Sequence, residues 1–254
     1  MAIPTIQLSV ITIVLAALLV ICIASIAILY IKYRAIQRRN LQIEQQLLLS
    51  QMNPHFVFNS LTAIQSYIFR NEAHQASKYL ASFAKLIRLI LENSRIELNT
   101  LEREVTTLKH YLELQALRFE GRFEHKIEVD EQINIDNVQI PPMLAQPFIE
   151  NAIEHGFIHS SDKGMLSIRF IAEKTNCLVV EVEDNGIGIE KSRQLQLEKG
   201  KGHRSLATEI TQERIRKIKC SKGINIEMSI IDIGTIDITR HGTLVKFKIP
   251  VLLC

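Results

Sequence analysis

Several short segments hold residues whose types and spacing suit chemistry. Gln51-Met-Asn-Pro-His-Phe-Val-Phe-Asn-Ser-Leu61 places His55 directly after Pro54. A proline fits the first turn of a helix, where its missing N–H costs little. A neutral, accessible imidazole is a nucleophile near neutral pH. Gln146-Pro-Phe-Ile-Glu-Asn-Ala-Ile-Glu-His-Gly156 carries Glu150, Asn151, Glu154 and His155. Asn151 and His155 are i and i+4 and share a helix face. An amide oxygen there is a hard ligand for Mg²⁺, and an imidazole can donate to a phosphate oxygen. Asp184, Gly186 and Gly188 follow an acidic strand end. The aspartate can accept from an exocyclic amine such as that of adenine, and the glycines let backbone approach a flat ring. Gly200-Lys-Gly-His-Arg-Ser205 combines mobile Gly202 with the cations His203 and Arg204, ahead of a helix start that would offer N–H groups to phosphate. His241-Gly-Thr-Leu-Val245 enters the last strand and adds Thr243. Taken singly, each segment is also what an amphipathic helix, a turn or a solvated loop carries.

These residues must be positioned by elements whose periods are legible. Residues 34–119 contain no glycine, and Pro54 is their one proline. Val57, Leu61, Ile64 and Ile68 recur at helical spacing and predict a buried seam. At about 100° per residue, His55, Asn59, Thr62 and Ser66 fall on the opposite, polar face. A second helix is expected with Ala76, Leu80, Phe83, Ile87 and Ile90 inward, and a third with Leu101, Val105, Leu108 and Leu112 inward. Asn99 with Glu102 reads as a capping box. A helical hairpin buries little alone, so a dimeric bundle is expected. From about residue 123 the pattern becomes mixed. Strands are expected at 125–130, 133–138, 165–172, 178–183, 224–231 and 243–249, with helices at 143–157 and 205–219. Interleaving of this kind indicates an α/β or α+β domain of about 130 residues.

Residues 1–31 contain no Asp, Glu, Lys or Arg. As a helix, Leu8 to Ile31 would span roughly 36 Å, enough for a hydrocarbon core of about 30 Å. Lys32, Arg34, Arg38 and Arg39 follow, with Tyr30 and Tyr33 at the boundary. A retained transmembrane helix with its basic flank in the cytoplasm and its N-terminus outside is therefore expected. The expected division is a transmembrane helix at 1–33, a juxtamembrane helix at 34–50, a dimerisation and phosphotransfer region at 51–120 and a nucleotide domain at 121–254. With 22% charged and 47% hydrophobic residues among 254, the chain is neither disordered nor collagen-like. A net charge of +3 is too small to argue for nucleic acid. Four cysteines have no metal-type spacing, and those beyond the membrane helix are expected as reduced thiols.

Together these segments resemble the LytS-type sensor histidine kinases, whose ATP domain has the Bergerat (GHKL) fold. The resemblance runs from about Gln51 to Pro250. Gln51 to Leu61 is similar to the phosphoacceptor segment. Tyr111-Leu-Glu-Leu-Gln115 and Arg118-Phe119 are similar to the link into the catalytic domain. Pro142 to Gly156 resembles the N box, Asp184 to Gly188 the G1 box, and Gly242-Thr243 the last nucleotide-contacting motif. Phe56 follows His55 where the commonest histidine kinases have an acidic residue, in keeping with the LytS pattern. Ala207 stands where many relatives have a glycine in the lid.

The resemblance implies a fold of three parts: an N-terminal transmembrane helix, all-α dimerisation and phosphoacceptor helices, and a two-layer α/β (α+β) Bergerat domain. It implies ATP and Mg²⁺ as cofactors. His55 would be the phosphoacceptor. Glu150 would match the general base of ATP-hydrolysing members of the wider fold. Asn151 would hold Mg²⁺, His155 would lie near the phosphates, Asp184 would read the adenine amine, and Thr243 would sit near the adenine pocket. The implied partners are a cognate response regulator, often of the LytTR type, a second copy of the chain, the membrane and a membrane sensor partner, with no direct nucleic-acid contact. The implied location is the bacterial cell membrane. A membrane-anchored pseudokinase scaffold and a GHKL ATPase without autophosphorylation remain the alternatives at this stage.

Overall fold

A computed structural model describes residues 29–30, 32–34, 37, 54–94, 96, 98–157, 162–173, 176–198, 206–237, 239–250 and 252–253. At 54–55, 94, 195–198, 206–207 and 252–253 it describes the backbone alone. Most of the expected membrane and juxtamembrane helices, Gly202–Arg204 and the side chain of His55 therefore lie outside the described residues. Among the described residues no helix is long and apolar enough to cross a membrane. The chain divides into units 1–56 and 57–254, and nearly all the described residues fall in the second.

The expected helices form as α1 (Pro54–Phe69), α2 (Ala73–Ser94) and α3 (Leu101–Arg118). Leu101, Val105, Leu108 and Leu112 of α3 are buried as expected, and Tyr111 and Leu114 join them. Burying each such large side chain contributes about 1.5–3 kcal/mol. α2 is tied to α3 by Asn93 Nδ2, which donates to Thr107 Oγ1 at 2.9 Å. The Tyr67 and Tyr79 rings lie 6.0 Å apart.

The first two helices bury only part of what was expected: Ala76 and Ile90 of α2 are buried as expected, but other positions differ. On α1, Leu61 is 50% and Ile68 60% exposed, while Ser60 is fully buried. On α2, Leu80 is 50% exposed, and Tyr79 and Leu86 take the core positions. Helical period identified a stripe, but the larger Tyr79 claims the inner face of α2, and Phe56 and Ser60 are the buried residues of α1. The cap of α3 also differs. Thr100 is the N-cap and accepts from Arg103 N, while Asn99 belongs to the two-residue strand β1 (Asn99–Thr100), paired with Ile140.

Beyond α3 the chain forms β2 (Phe123–Val129), β3 (Val138–Ile140), α4 (Gln146–Asn151), β4 (Gly164–Glu173), β5 (Cys177–Asp184), α5 (Ile189–Glu198), α6 (Leu206–Lys222), β6 (Glu227–Asp232), β7 (Thr243–Pro250) and β8 (Leu252–Leu253). The main sheet has the order β2-β4-β5-β7-β6. β2 and β4 are parallel and the other neighbours antiparallel. β1, β3 and β8 form a small second sheet. Period-two alternation sets the faces of the main sheet. Leu166, Ile168, Phe170, Val180, Val182, Val245, Phe247 and Ile249 are buried, and Phe148 of α4 meets the Phe247 ring at 5.7 Å. Between these positions, Arg169 pairs with Glu181 and Glu183, and Lys246 with Glu181. This mixed sheet with helices is the α/β part that was expected.

Of the segment 133–138 only Val138 is in a strand, as the first residue of β3. Asp130 Oδ1 accepts from Gln132 N and Asn134 Oδ1 from Asp136 N, so side chains hold turns there instead. The helix expected from 143 begins at Gln146 because Met143 has φ 57, outside the helical region. It ends in a single π-helical turn, Ala152–Gly156, closed by Phe157 N donating to Ala152 O at 2.9 Å. Such turns occur frequently at functional sites.

Candidate functional site

Asp184 ends β5 and is buried. Its Oδ1 accepts from Gly186 N at 2.8 Å. The Thr243 N–H and hydroxyl, beside this carboxylate, favour its charged form. Burial raises its pKa to about 6, against the lowering effect of those groups, and the nearby Asp232 charge raises it further. At neutral pH the group is still mainly a carboxylate, and so an acceptor facing a desolvated space.

Two close approaches, at Gly186 and Gly242, fix the loop after it, and Gly156 lies in ordinary contact with it. A Cβ at Gly186 would lie 2.7 Å from Gly156 Cα and 2.8 Å from Asp184 Oδ1, so only glycine fits. Gly242, at φ 128, would overlap the Asp184 carbonyl oxygen if it carried a side chain. A Cβ at Gly156 would lie 3.6 Å from Asp184 Oδ1 and 3.9 Å from the Asn151 carbonyl. The end of the Gln146–Gly156 helix therefore meets the end of β5. Asp184, Gly186, Thr243 and the turn that follows Asn151 lie together. Asn151 is half-buried and His155 exposed. Gly188, at φ 76, lies on the far side of the loop against Asp232.

Glu150 accepts from Gln146 Nε2 at 3.0 Å. Its charge helps burial hold the Tyr111 hydroxyl well above its ordinary pKa. Glu154 accepts from Arg118 Nη1 at 3.1 Å and from Asn59 Nδ2 at 3.2 Å. Arg118 also donates to Gln115 Oε1, and Gln115 Nε2 donates to the Tyr111 hydroxyl at 2.8 Å. The linking motif on α3 is thus a chain of polar contacts that ends on the helix carrying Asn151. Neither the role of Glu154 nor its pairing with Arg118 was foreseen, because residues 36 positions apart give no periodic signal.

Glu104 was also missed. It is buried on α3, and its Oε1 accepts from Met143 N at 2.8 Å, which holds the turn that enters α4. Burial raises its pKa to about 7; the Met143 N–H and the Arg214 charge oppose the rise. Asp232 is a third omission. Its one sequence signal is Asp-Ile-Gly234 at a strand end, a pattern suited to a side-chain-capped turn.

The family model described as histidine kinase matches residues 43–123. The sensor histidine kinase/phosphatase LytS of Staphylococcus aureus strain MRSA252 is 33% identical over 144 residues, which are 57% of this chain and 24% of that protein. Over that stretch the chain is similar to LytS. LytS of strain Mu50 is 32% identical over the same shares. The chain spans about a quarter of the length of these curated relatives. Among solved structures, the histidine kinase domain of the Erythrobacter litoralis EL346 blue-light activated histidine kinase is similar to it at a TM-score of 0.43 and 17% identity, covering 83% of this chain and 96% of that one. The LytS match and the histidine kinase segment agree with the resemblance carried by Gln51 to Leu61 and Tyr111 to Phe119.

Proposed function

We propose that the chain is a sensor histidine kinase that autophosphorylates His55 from ATP and passes the phosphoryl group to an aspartate of a response regulator. The observation that carries the reading is the buried Asp184 carboxylate, held by Gly186 and Thr243 where the turn of Asn151 meets the sheet. Asp184 accepts from the adenine amine, and the Gly186–Gly188 backbone lies against the ring. Thr243 keeps Asp184 in place. Asn151 offers one half-buried amide oxygen, which fits Mg²⁺, a cation that takes most of its ligands from water and phosphate. When bound, Mg²⁺ neutralises phosphate charge. His155, Gly202, His203 and Arg204 supply donors and cations to the phosphates.

The His55 imidazole attacks the γ-phosphorus in line. The bond to the β–γ bridging oxygen breaks, ADP leaves, and the imidazole proton passes to a base. Glu150 is the carboxylate to test for that role. The phosphohistidine then gives its phosphoryl group to the regulator's aspartate, a regulator of the LytTR type on this reading. Residues 1–33 anchor the protein as a single membrane-spanning helix with the catalytic part in the cytoplasm. The chain acts as a homodimer, receives its signal from a membrane partner or the bilayer, and touches no nucleic acid itself.

Full-length protein in detergent, given ATP labelled at the γ-phosphate with Mg²⁺, tests this. Acid-labile label on the parent, absent in His55→Gln and Asn151→Ala, is the expected result. Nucleotide binding without label would instead favour a nucleotide-binding scaffold, and label lost by free phosphate release alone an ATPase.

A further inference from the structure

Asp232 lies at the end of the edge strand β6, 44 positions after Gly188 in the chain, yet it meets the loop that follows Asp184. Its Oδ2 accepts from Ile189 N at 2.8 Å and Glu190 N at 2.9 Å. Those are N–H groups of the first turn of α5, which have no partner within the helix. Its Oδ1 accepts from Gly234 N at 3.0 Å. The same carboxylate packs on Gly188, where a Cβ would stand 3.0 Å from Oδ1 and 3.2 Å from Oδ2. In the sheet, Asp232 is paired with Thr243, the residue whose N–H and hydroxyl lie beside Asp184.

The loop from Asp184 to Gly188 is therefore held at both ends by one structure, the β6–β7 connection. Thr243 and Gly242 hold its start, and Asp232 holds its end. Besides Asp232, this end is held by Ile187 N, which donates to Gly156 O at 3.4 Å, and by Gly188 O, which accepts from Ser192 N at 3.2 Å, while a glycine at φ 76 restrains the backbone little by itself. A carboxylate that accepts from several N–H groups gives that end a single position.

We propose that Asp232 is a positioning residue for the nucleotide base: it fixes the Gly188–Ile189 end of the loop so that Asp184 and the loop backbone present one rigid edge to a purine. The assignment rests on the nucleotide reading of Asp184 above. Asp232 contacts no phosphate in this reading, so its influence falls on the base-dependent part of binding.

The test compares full-length parent, Asp232→Ala and Asp232→Asn by calorimetric titration with ADP, GDP and inorganic tripolyphosphate, each with Mg²⁺. Asp232→Ala is expected to weaken ADP about tenfold, on the scale of a lost helix cap, and to narrow the preference for ADP over GDP. Tripolyphosphate affinity is expected to stay at the parent value. Asp232→Asn keeps a carbonyl acceptor for α5 and is expected to recover most of the ADP affinity. Equal ADP binding by parent and Asp232→Ala would overturn this assignment alone. So would a parallel loss of ADP and tripolyphosphate, which marks general loosening. A parent that binds no ADP would overturn the nucleotide reading and this assignment with it.

Discussion

Around the Asp184–Gly188 loop, polar groups are turned inward and satisfied from within the chain, whereas the α1–α2 hairpin turns apolar groups outward. Asp184 is buried, accepts from Gly186 N and has the Thr243 N–H and hydroxyl beside it, and Asp232 accepts from Ile189, Glu190 and Gly234. On the hairpin, Leu61, Ile68, Phe69 and Leu80 are each at least half exposed. A loop that keeps a desolvated carboxylate sacrifices stability for a recognition surface. A hairpin that exposes an apolar stripe is incomplete as a single chain and gains by covering that stripe. On the proposed reading, one region would serve a ligand and the other a second polypeptide.

Asp184→Asn is the sharpest way to break the comparison. It is expected to weaken ADP binding about 100-fold, the scale of hydrogen bonds to a charged group. Its stability should move the other way. The folded pKa of about 6 is raised, so the parent binds the proton more tightly when folded and loses stability as pH rises from the ordinary carboxylate range through 6. The loss is on the order of 3 kcal/mol. Urea denaturation at pH 4 and pH 8 should show that slope in the parent and a smaller one in Asp184→Asn, where the part from Glu104 remains. A variant that bound ADP normally would remove Asp184 from the site.

Arg118→Ala tests the link between the two regions. It leaves Glu154, whose side chain is 11% exposed, without its cation. A loss of about 2–3 kcal/mol in urea denaturation is expected, with Arg118→Lys recovering little because the guanidinium also serves Gln115. Glu104→Ala removes the acceptor of Met143 N and is expected to cost about 1–3 kcal/mol. Glu104→Gln keeps that acceptor and should match or exceed the parent above pH 7, where the parent carries a buried charge. Leu61→Asp is expected to have the smallest effect on the stability of a single chain, within about 0.5 kcal/mol, because the residue is exposed. Its effect should appear instead as a fall in mass by light scattering. An unchanged mass would mean that the outward stripe is not an assembly surface.

Much of this was legible in the sequence for physical reasons. The α3 face of Leu101, Val105, Leu108 and Leu112 follows helical period, and the sheet follows strict alternation between Leu166 and Phe170 and between Val245 and Ile249. Asp184, Gly186 and Thr243 were chosen for their chemistry, and the fold does bring them together. The errors fall where two readings share one local pattern. Ile133 to Val138 alternates like a strand, but the side chains of Asp130 and Asn134 bond to nearby N–H groups and hold turns. The capping box at Asn99 lost to Thr100 because Asn99 was taken up in pairing with β3.

What the sequence determined by itself is local: element type, the glycines that admit close backbone approach, and the apolar or polar character of each stripe. Periodicity and steric rules act over a few residues, so they can be read there. Tertiary structure alone decided which stripe of α1 faces out, that Glu154 is joined to Arg118 and Asn59, and that Asp232 holds the far end of the Asp184 loop. Those outcomes depend on residues 36, 95 and 43 positions apart, as in Arg118–Glu154, Asn59–Glu154 and Ile189–Asp232. Contacts at such separations follow from competition among large side chains for one core and from unpaired N–H groups at helix ends seeking the nearest acceptor.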